Sequence, residues 1–512
     1  LGAITAVYHA VTSAGDAARL ARAIAVEQTV EVPESLIDAR IDKEIVGRVV
    51  SVDPLEGGRF AIRIDYNPQL VNGLPELLNL AYGNVSMMES VRLAGLTLPP
   101  EVLARFRGPN FGIEGVRALL GVQGRPLLAT VLKPRGSPDE RFRAIAEEFA
   151  LAGGDIVKDD NNLIDESFAT FQRRVALCQE AVTRASARTG RPCLYLANIS
   201  VPLGRLERYL DGAQRLGVRG VLIPPLLMGL DVVRDLAQRR GLLVMGHPAF
   251  TGAFFHDRRH GIEPGVLFGT IYRLAGVDIT IFVNHGGRFR YSPAECASIA
   301  AAVRAPLGNI RAGLPAPAGG MSLERLDDMA REYGADTVLV VGGALLSGAG
   351  GVGKTTEAYL ARLRAGFPER LEPPREFASG AGDEVHHLPF RGDFTWEGRP
   401  LAADKRGGDL PYKDILRHEL LGEGGEATAF SLRYFEIAPQ GLSSAEKHVH
   451  THAIIAVRGR GVLTVEGKRY ELKPNDVAYV PPLTDHQLRN EGGEPFGFYC
   501  IVDKDRDRPS AP

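Results

Sequence analysis

Apolar residues along this chain follow three successive patterns. In residues 1–115 the pattern is mixed. Ala6-Val7-Tyr8-His9-Ala10-Val11 alternates with period two, residues 16–25 carry helical spacing, and residues 45–66 read as two strands turning at Gly57-Gly58. That mixture predicts a small α+β domain. From about residue 125, short apolar runs alternate with amphipathic stretches such as 140–152 and 323–333. Eight runs qualify as strands: 127–132, 155–158, 194–199, 220–223, 242–245, 278–283, 310–314 and 337–341. Eight βα units over about 250 residues predict a (β/α)8 TIM barrel, placed at 116–370. A doubly wound sheet is the alternative, although it usually has fewer strands. Residues 371–411 are rich in Pro, Gly and charge, as in Glu372-Pro373-Pro374-Arg375, and read as a linker, with the single Trp396 at the edge of the next domain. Residues 412–512 carry short strands at 431–437, 454–457, 461–465, 476–480 and 496–502, the pattern of an all-β barrel.

Composition narrows the class. Apolar content of 45%, charged content of 24% and a net charge of -2 leave no basic field for nucleic acid. No apolar run approaches the ~18 residues of a membrane span. Four scattered cysteines form neither a metal pair nor a disulfide framework, which suits a reducing compartment. The first residues lack a basic, then apolar, signal pattern. The expectation is a cytoplasmic protein acting on a small molecule.

In a TIM barrel the chemistry gathers at the C-terminal ends of the strands. Here those ends read Lys133-Pro134-Arg135-Gly136, Lys158-Asp159-Asp160-Asn161, Asn198, Gly246-His247-Pro248, Asn284-His285-Gly286-Gly287-Arg288, Gly319-Gly320 and Gly342-Gly343. Cations, a possible metal cluster and two glycine turns share one mouth. Glycine turns after strands seven and eight commonly hold phosphate through backbone N–H groups. A Walker-type run, Gly348-Ala349-Gly350-Gly351-Val352-Gly353-Lys354-Thr355, follows the eighth strand. No separate P-loop fold accompanies it, so it reads as a glycine-rich lead into the last barrel helix.

Taken in order over roughly residues 1–370, these motifs resemble the RuBisCO superfamily, and specifically its RuBisCO-like (form IV) proteins. The resemblance implies that Lys133 is the catalytic lysine after strand one. It implies that Lys158 is the lysine that CO2 converts to a carbamate, and that Asp160 and Asn161 join it around Mg2+. Glu27 and Asn84 resemble N-terminal residues lent to a neighbouring subunit's site, which implies a homodimer or higher homo-oligomer. His247 joins the catalytic set; Arg288, Gly319, Gly320, Gly342 and Gly343 resemble the phosphate grip. Departures exclude CO2 fixation: Asn161 replaces the third carboxylate ligand, Pro248 and Thr251 replace an Arg and a His, and Arg288 stands for a lysine.

In the last 100 residues, Glu446-Lys447-His448-Val449-His450-Thr451-His452 is read as a strand with its alternate residues on one face, and His486 follows later. Imidazoles in that number suit a divalent transition metal. With Gly459, Pro474 and Asp476, this part resembles the cupins. The resemblance implies Glu446, His448, His452 and His486 as ligands, with Glu and His exchanged relative to the usual order. The chain as a whole is expected to be a fusion enzyme. Its barrel enolises or isomerises a phosphorylated ketose of the 5-methylthioribulose 1-phosphate type, and its cupin serves the same pathway. Decarboxylation or hydrolysis of a 3-oxo sugar-acid phosphate, and a non-catalytic sugar-phosphate sensor, are the alternatives.

Overall fold

A computed structural model of the chain describes residues 2–375, 387–398, 403–405, 413–422, 428 and 430–503. Packing divides the chain into two compact units, Leu1–Ser379 and Gly380–Pro512. Much of the stretch expected as a linker, 371–411, lies outside the described residues.

The first unit begins with a sheet in which Ile4–Val11 pairs on one side with Arg59–Tyr66, itself paired with Arg48–Leu55, and on the other with Val91–Thr97. Its inward residues Ile4, Ala6, Tyr8 and Ala10 are buried in the same core as Ala21, Ile24 and Ala25 of the Ala17–Glu27 helix. A fifth strand, Gly261–Ile262, comes from the barrel portion of the chain and pairs in parallel with Val91–Thr97.

Eight parallel strands close into a barrel in sequence order: Leu127–Leu132, Ile156–Asp159, Leu194–Asn198, Gly220–Ile223, Leu243–Gly246, Ile279–Val283, Leu314–Ala318 and Val338–Val341. Seven lie within a residue or so of their expected positions. The seventh is a correction, since it was expected at 310–314. Its sequence is Leu-Pro-Ala-Pro-Ala, and prolines argue against a strand because they donate no ladder bond. Here Pro315 and Pro317 address the same neighbour, as alternate strand residues do. The strand pairs along its whole length with Ile279–Val283 but meets Val338–Val341 in register only at Ala318↔Val340.

Alternation also sorts the barrel's core. Leu127, Ala129, Val131, Ile156, Leu196, Leu222, Leu243, Met245, Ile279, Ile281, Leu314, Ala316, Val338 and Val340 form one interior cluster, closed by Phe111, Val116, Leu119 and Leu120 around the Gly112–Leu120 helix. Residues of the opposite phase, among them Leu128, Val157, Ala197 and Val244, pack outward under the helices.

Two buried carboxylates clasp the strand starts. Asp278 accepts from the amides of Phe111, Gly112 and Val244, and burial pushes its carboxyl up to about 6. Asp155 accepts from both terminal nitrogens of Arg125 at 2.7 and 2.9 Å and from the Leu128 amide at 2.7 Å. Arg125 is fully buried and also donates to Glu369, which ties the segment after the last helix to the base of the barrel.

The second unit is an antiparallel barrel-like sheet built on Phe430–Leu442, His452–Arg458, Gly461–Val465, Val477–Val480, His486–Arg489 and Phe496–Asp503. Trp396 lies in a short hairpin and packs beside Tyr434 and Tyr499.

Removing one partner of a buried ion pair leaves an uncompensated charge. Asp155→Ala is therefore expected to lower the stability of the first unit by about 3–5 kcal/mol in urea unfolding, whereas the paired replacement Arg125→Met with Asp155→Leu loses clearly less. Equal losses in the two variants would contradict this account of the clasp.

Candidate active site and metal centre

The phase that fills the barrel interior continues past the strand ends. Val131 is followed two residues later by Lys133, Ile156 by Lys158 and Asp160, Leu196 by Asn198, Met245 by His247, and Val340 by Gly342. Lys133, Lys158, Asp160, Asn161, His247, Arg288, Gly319, Gly320, Gly342 and Gly343 all line one cavity of about 940 Å³ at this mouth.

The opposite phase anchors the mouth. Asp159 points outward and is fully buried. Arg174 of the Phe168–Thr189 helix donates to its two oxygens at 2.8 and 2.9 Å, Tyr195 donates at 2.8 Å, and the Asn198 amide at 2.8 Å. The Asn198 side chain then donates to the carbonyls of Asp160, Asn161 and Leu163. This holds the turn that presents Lys158 and Asp160.

Lys158 is buried and its ammonium donates to the Asp159 carbonyl at 2.9 Å. Burial lowers it to about 8, against the pull of Asp160 and Asp159. Burial, with Lys158 nearby, holds His247 down at about 3, so this imidazole is neutral. Its Nδ1 accepts from the Ala249 amide at 3.1 Å. Asn161 Oδ1 is buried without a hydrogen-bond partner, and Asp160 gives one oxygen to the Asn162 amide. An orphaned carbonyl oxygen next to a carboxylate is a donor pair suited to a hard cation such as Mg2+. Lys158 fits such a site only as a carbamate, because its ammonium is a cation itself.

Across the cavity the glycine turns are needed for close approach. A Cβ on Gly342 would stand 2.7 Å from Lys133 Nζ. Gly319 and Gly320 take φ of 93° and 66°, which favours glycine. Arg325, which sequence reasoning missed, lines the cavity and donates to the carbonyls of Gly320 and His285, joining the loops after strands six and seven. The lining also has apolar members, Pro248, Ala249, Phe250 and Phe289, and the exposed Phe250 is held at φ 73°. Thr251 is turned into the backbone, donating to the Pro248 carbonyl. Glu27 and Asn84 do not join this lining; Asn84 donates to Glu27 at 3.0 Å within the N-terminal sheet region.

In the second unit the histidine run is not a strand, which corrects the expectation. It is an irregular link between Phe430–Leu442 and His452–Arg458, with an isolated bridge between Glu446 and His486. In-out alternation nevertheless survives: His448, His450 and His452 are buried while Val449 is exposed. Among the described residues, His448, His452 and His486 form a group whose ligating atoms lie within 4.8 Å of one another. Glu446 stands outside this group and accepts from Ser444 Oγ. His448 Nδ1 bonds to the His450 carbonyl and His486 Nδ1 to the Thr484 carbonyl, each at 2.9 Å, while His452 Nδ1 lies 3.6 Å from Cys500 Sγ. Such contacts fix the ring orientation and leave Nε2 for a metal. His448 Nε2 is buried and unpartnered, as a metal-ready nitrogen would be. His450 stacks on His448 and lies 3.3 Å from His452 through Nε2.

Comparison with known proteins bears on both units. The ribulose bisphosphate carboxylase large chain catalytic domain matches residues 112–364, and the cupin domain matches 433–502. Ribulose bisphosphate carboxylase-like protein 1 of Rhodopseudomonas palustris is 36% identical over 365 residues, 71% of this chain and 96% of that protein. The chain belongs to the RuBisCO-like proteins. The 5-methylthioribulose-1-phosphate isomerase of Rhodospirillum rubrum is 35% identical over 368 residues, 70% of this chain and 96% of that protein. The crystal structure of a Rubisco-like protein from Rhodopseudomonas palustris superposes with a TM-score of 0.64 at 36% identity, covering 71% of this chain and 98% of that one.

This RuBisCO-like chain stands with the non-carboxylating enzymes of the family and carries a cupin domain at its C-terminal end. Its Walker-type run leads into the last barrel helix, Gly351–Gly366, which begins inside the run, and a Cβ on Gly348 would collide with the side chain of Thr355. Among the described residues, no helix is long and apolar enough to cross a membrane.

Because one amide of Asn198 holds three carbonyls of the lysine turn, Asn198→Ala is expected to cost about 1–3 kcal/mol. It should also loosen the turn, read as faster amide exchange at residues 160–163. Unchanged exchange there would show that the turn is held by other means.

Proposed function

We propose that the barrel enolises or isomerises a phosphorylated ketose of the 5-methylthioribulose 1-phosphate type and fixes no CO2. The mixed lining of the cavity carries the reading. It offers Lys133, Arg288 and the Gly319-Gly320 and Gly342-Gly343 turns, which suit a phosphate. It also holds the apolar Pro248, Ala249, Phe250 and Phe289, which suit an uncharged tail. The likeness to an isomerase of 5-methylthioribulose 1-phosphate supports the same substrate class.

Enolisation removes a proton next to a carbonyl and stabilises the oxyanion that forms. Lys133 lines the cavity with its Nζ over Gly342 and is one candidate base. Lys158, lowered to about 8, has a large neutral fraction at that pH; this form can accept a proton or add CO2 to become a carbamate. Neutral His247 can donate a hydrogen bond to the developing oxyanion without bringing a competing charge. Asp160, Asn161 and carbamylated Lys158 would hold Mg2+, which supplies positive charge to that oxygen when bound. Glu27 and Asn84, paired with each other away from this cavity, complete the site of a neighbouring subunit in a homodimer or larger homo-oligomer.

In the cupin we assign His448, His452 and His486 to a divalent transition metal, with Glu446 as a fourth ligand only if its carboxylate leaves Ser444. The cupin then acts in the same pathway as the barrel.

Two variants test the barrel. Lys133→Ala is expected to reduce isomerisation of 5-methylthioribulose 1-phosphate by at least about a hundredfold, the usual weight of a general base. Lys158→Ala should do the same and abolish any response of the rate to bicarbonate. If both variants retain wild-type turnover, the mechanism is wrong. For the cupin, replacing His448 and His452 together should remove bound transition metal by elemental analysis, since two of three imidazoles are lost. A full equivalent retained would refute the assignment.

A further inference from the structure

The loops after the sixth and seventh barrel strands meet over one guanidinium. Arg325 stands at the start of the Leu326–Tyr333 helix, a short way beyond the Gly319-Gly320 turn. Its Nη1 donates to the Gly320 carbonyl at 2.9 Å and its Nη2 to the His285 carbonyl at 3.3 Å. Glycines from both loops make room for it. A Cβ on Gly286 would stand 2.7 Å from Nη1 and 2.9 Å from Nη2, and a Cβ on Gly320 would stand 2.9 Å from Nη1. Both glycines take positive φ, 72° and 66°. A Cβ on Gly287 would in turn reach the Gly319-Gly320 peptide at 3.5 Å. The two loops are thus built to lie backbone against backbone, with the guanidinium between their carbonyls.

The same helix grips the root of the loop after strand six. Asn284 is fully buried; its Nδ2 donates to Met329 Sδ at 3.0 Å, its Oδ1 accepts from the Tyr333 hydroxyl at 2.6 Å, and its amide donates to the Ala318 carbonyl at 2.9 Å. His285 Nε2 lies 2.9 Å from Glu332 Oε2. Residues 325, 329, 332 and 333 are spaced to fall on one helix face, which therefore serves both loops. Three residues beyond the carbonyl that Arg325 holds, the chain reaches Arg288, in the same cavity lining as Gly319 and Gly320. Among the described residues no carboxylate pairs with Arg325. Its planar fork can span two carbonyls at once, which a lysine ammonium on one flexible stem does poorly.

We propose that Arg325 is a positioning residue of the barrel's anion grip: it fixes the loop that carries Arg288 against the Gly319-Gly320 turn, so that side-chain and backbone donors close on one phosphate. This rests on the reading of Arg288 and the glycine turns as that grip. Arg325 acts through Arg288, because its own terminal nitrogens are spent on the backbone of the two loops.

Amide exchange and the binding of inorganic phosphate, both measured on the full chain, test this. In ligand-free Arg325→Met, exchange at residues 285–289 should rise at least about tenfold, the scale of one lost charge-assisted hydrogen bond, and exchange in the cupin strand His452–Arg458 should stay as it was. Phosphate, titrated calorimetrically, should bind Arg325→Met about tenfold more weakly than wild type. Arg325→Lys keeps the charge but not the span, and should bind phosphate within about threefold of Arg325→Met. In a chain that already carries Arg288→Met, adding Arg325→Met should weaken phosphate by less than about twofold further, since residues that act as one unit do not add. Unchanged exchange in the loop overturns the proposal. So does wild-type phosphate affinity in Arg325→Met, full rescue by Arg325→Lys, or additive losses in the double variant. If Arg288→Met itself binds phosphate as wild type does, the reading of the grip fails instead, and the exchange rates still decide whether Arg325 fixes the loop.

Discussion

The buried pair of Asp159 and Arg174 is the constraint on which the barrel's mouth depends. Period-two alternation in a four-residue strand allows two adjacent charged residues to face opposite ways. Asp159 turns out under the helices, where one guanidinium nitrogen of Arg174, a tyrosine hydroxyl and a backbone amide hold it. Its neighbours Lys158 and Asp160 are thereby fixed on the inner face. A one-residue slip would send both Lys158 and Asp160 out of the cavity and turn Val157 and Asp159 inward. The low dielectric around this wall also keeps the Lys158 amine far below its ordinary value.

Much of this was legible in the sequence because the signals are local and repeated. Eight apolar runs spaced by amphipathic stretches specify a barrel, and the residues that follow each run specify its mouth. The seventh strand was displaced because prolines are poor strand formers by themselves, and only pairing with its neighbours shows that Leu314–Ala318 takes the place. Arg174, Asn198 and Arg325 were illegible as supports for a different reason. Each acts through partners brought close by tertiary packing, so no spacing in the chain announces them. The histidine run was legible as chemistry but not as geometry, since alternation of burial survived where the strand itself did not.

The cupin extends the same lesson about phase. His452 begins the inward series that Ile454 and Ala456 continue, and it joins the group with His448 and His486. In both units a polar residue continues the inward phase of an apolar series and ends in a site. In the barrel, glycine turns and cations share the cavity lining with proline and phenylalanine, and Pro248 and Thr251 stand where the resemblance to the carboxylases leads one to expect Arg and His.

The central claim is that this barrel makes an enediolate from a ketose monophosphate and returns a proton, not CO2, to it. Proton NMR of 5-methylthioribulose 1-phosphate incubated with the wild-type chain, Mg2+ and bicarbonate in deuterated water tests this most directly. The account predicts deuterium at the carbon next to the carbonyl, with no carbon gained from labelled bicarbonate. Carbon incorporation, or a substrate that stays fully protonated while bound, would contradict it.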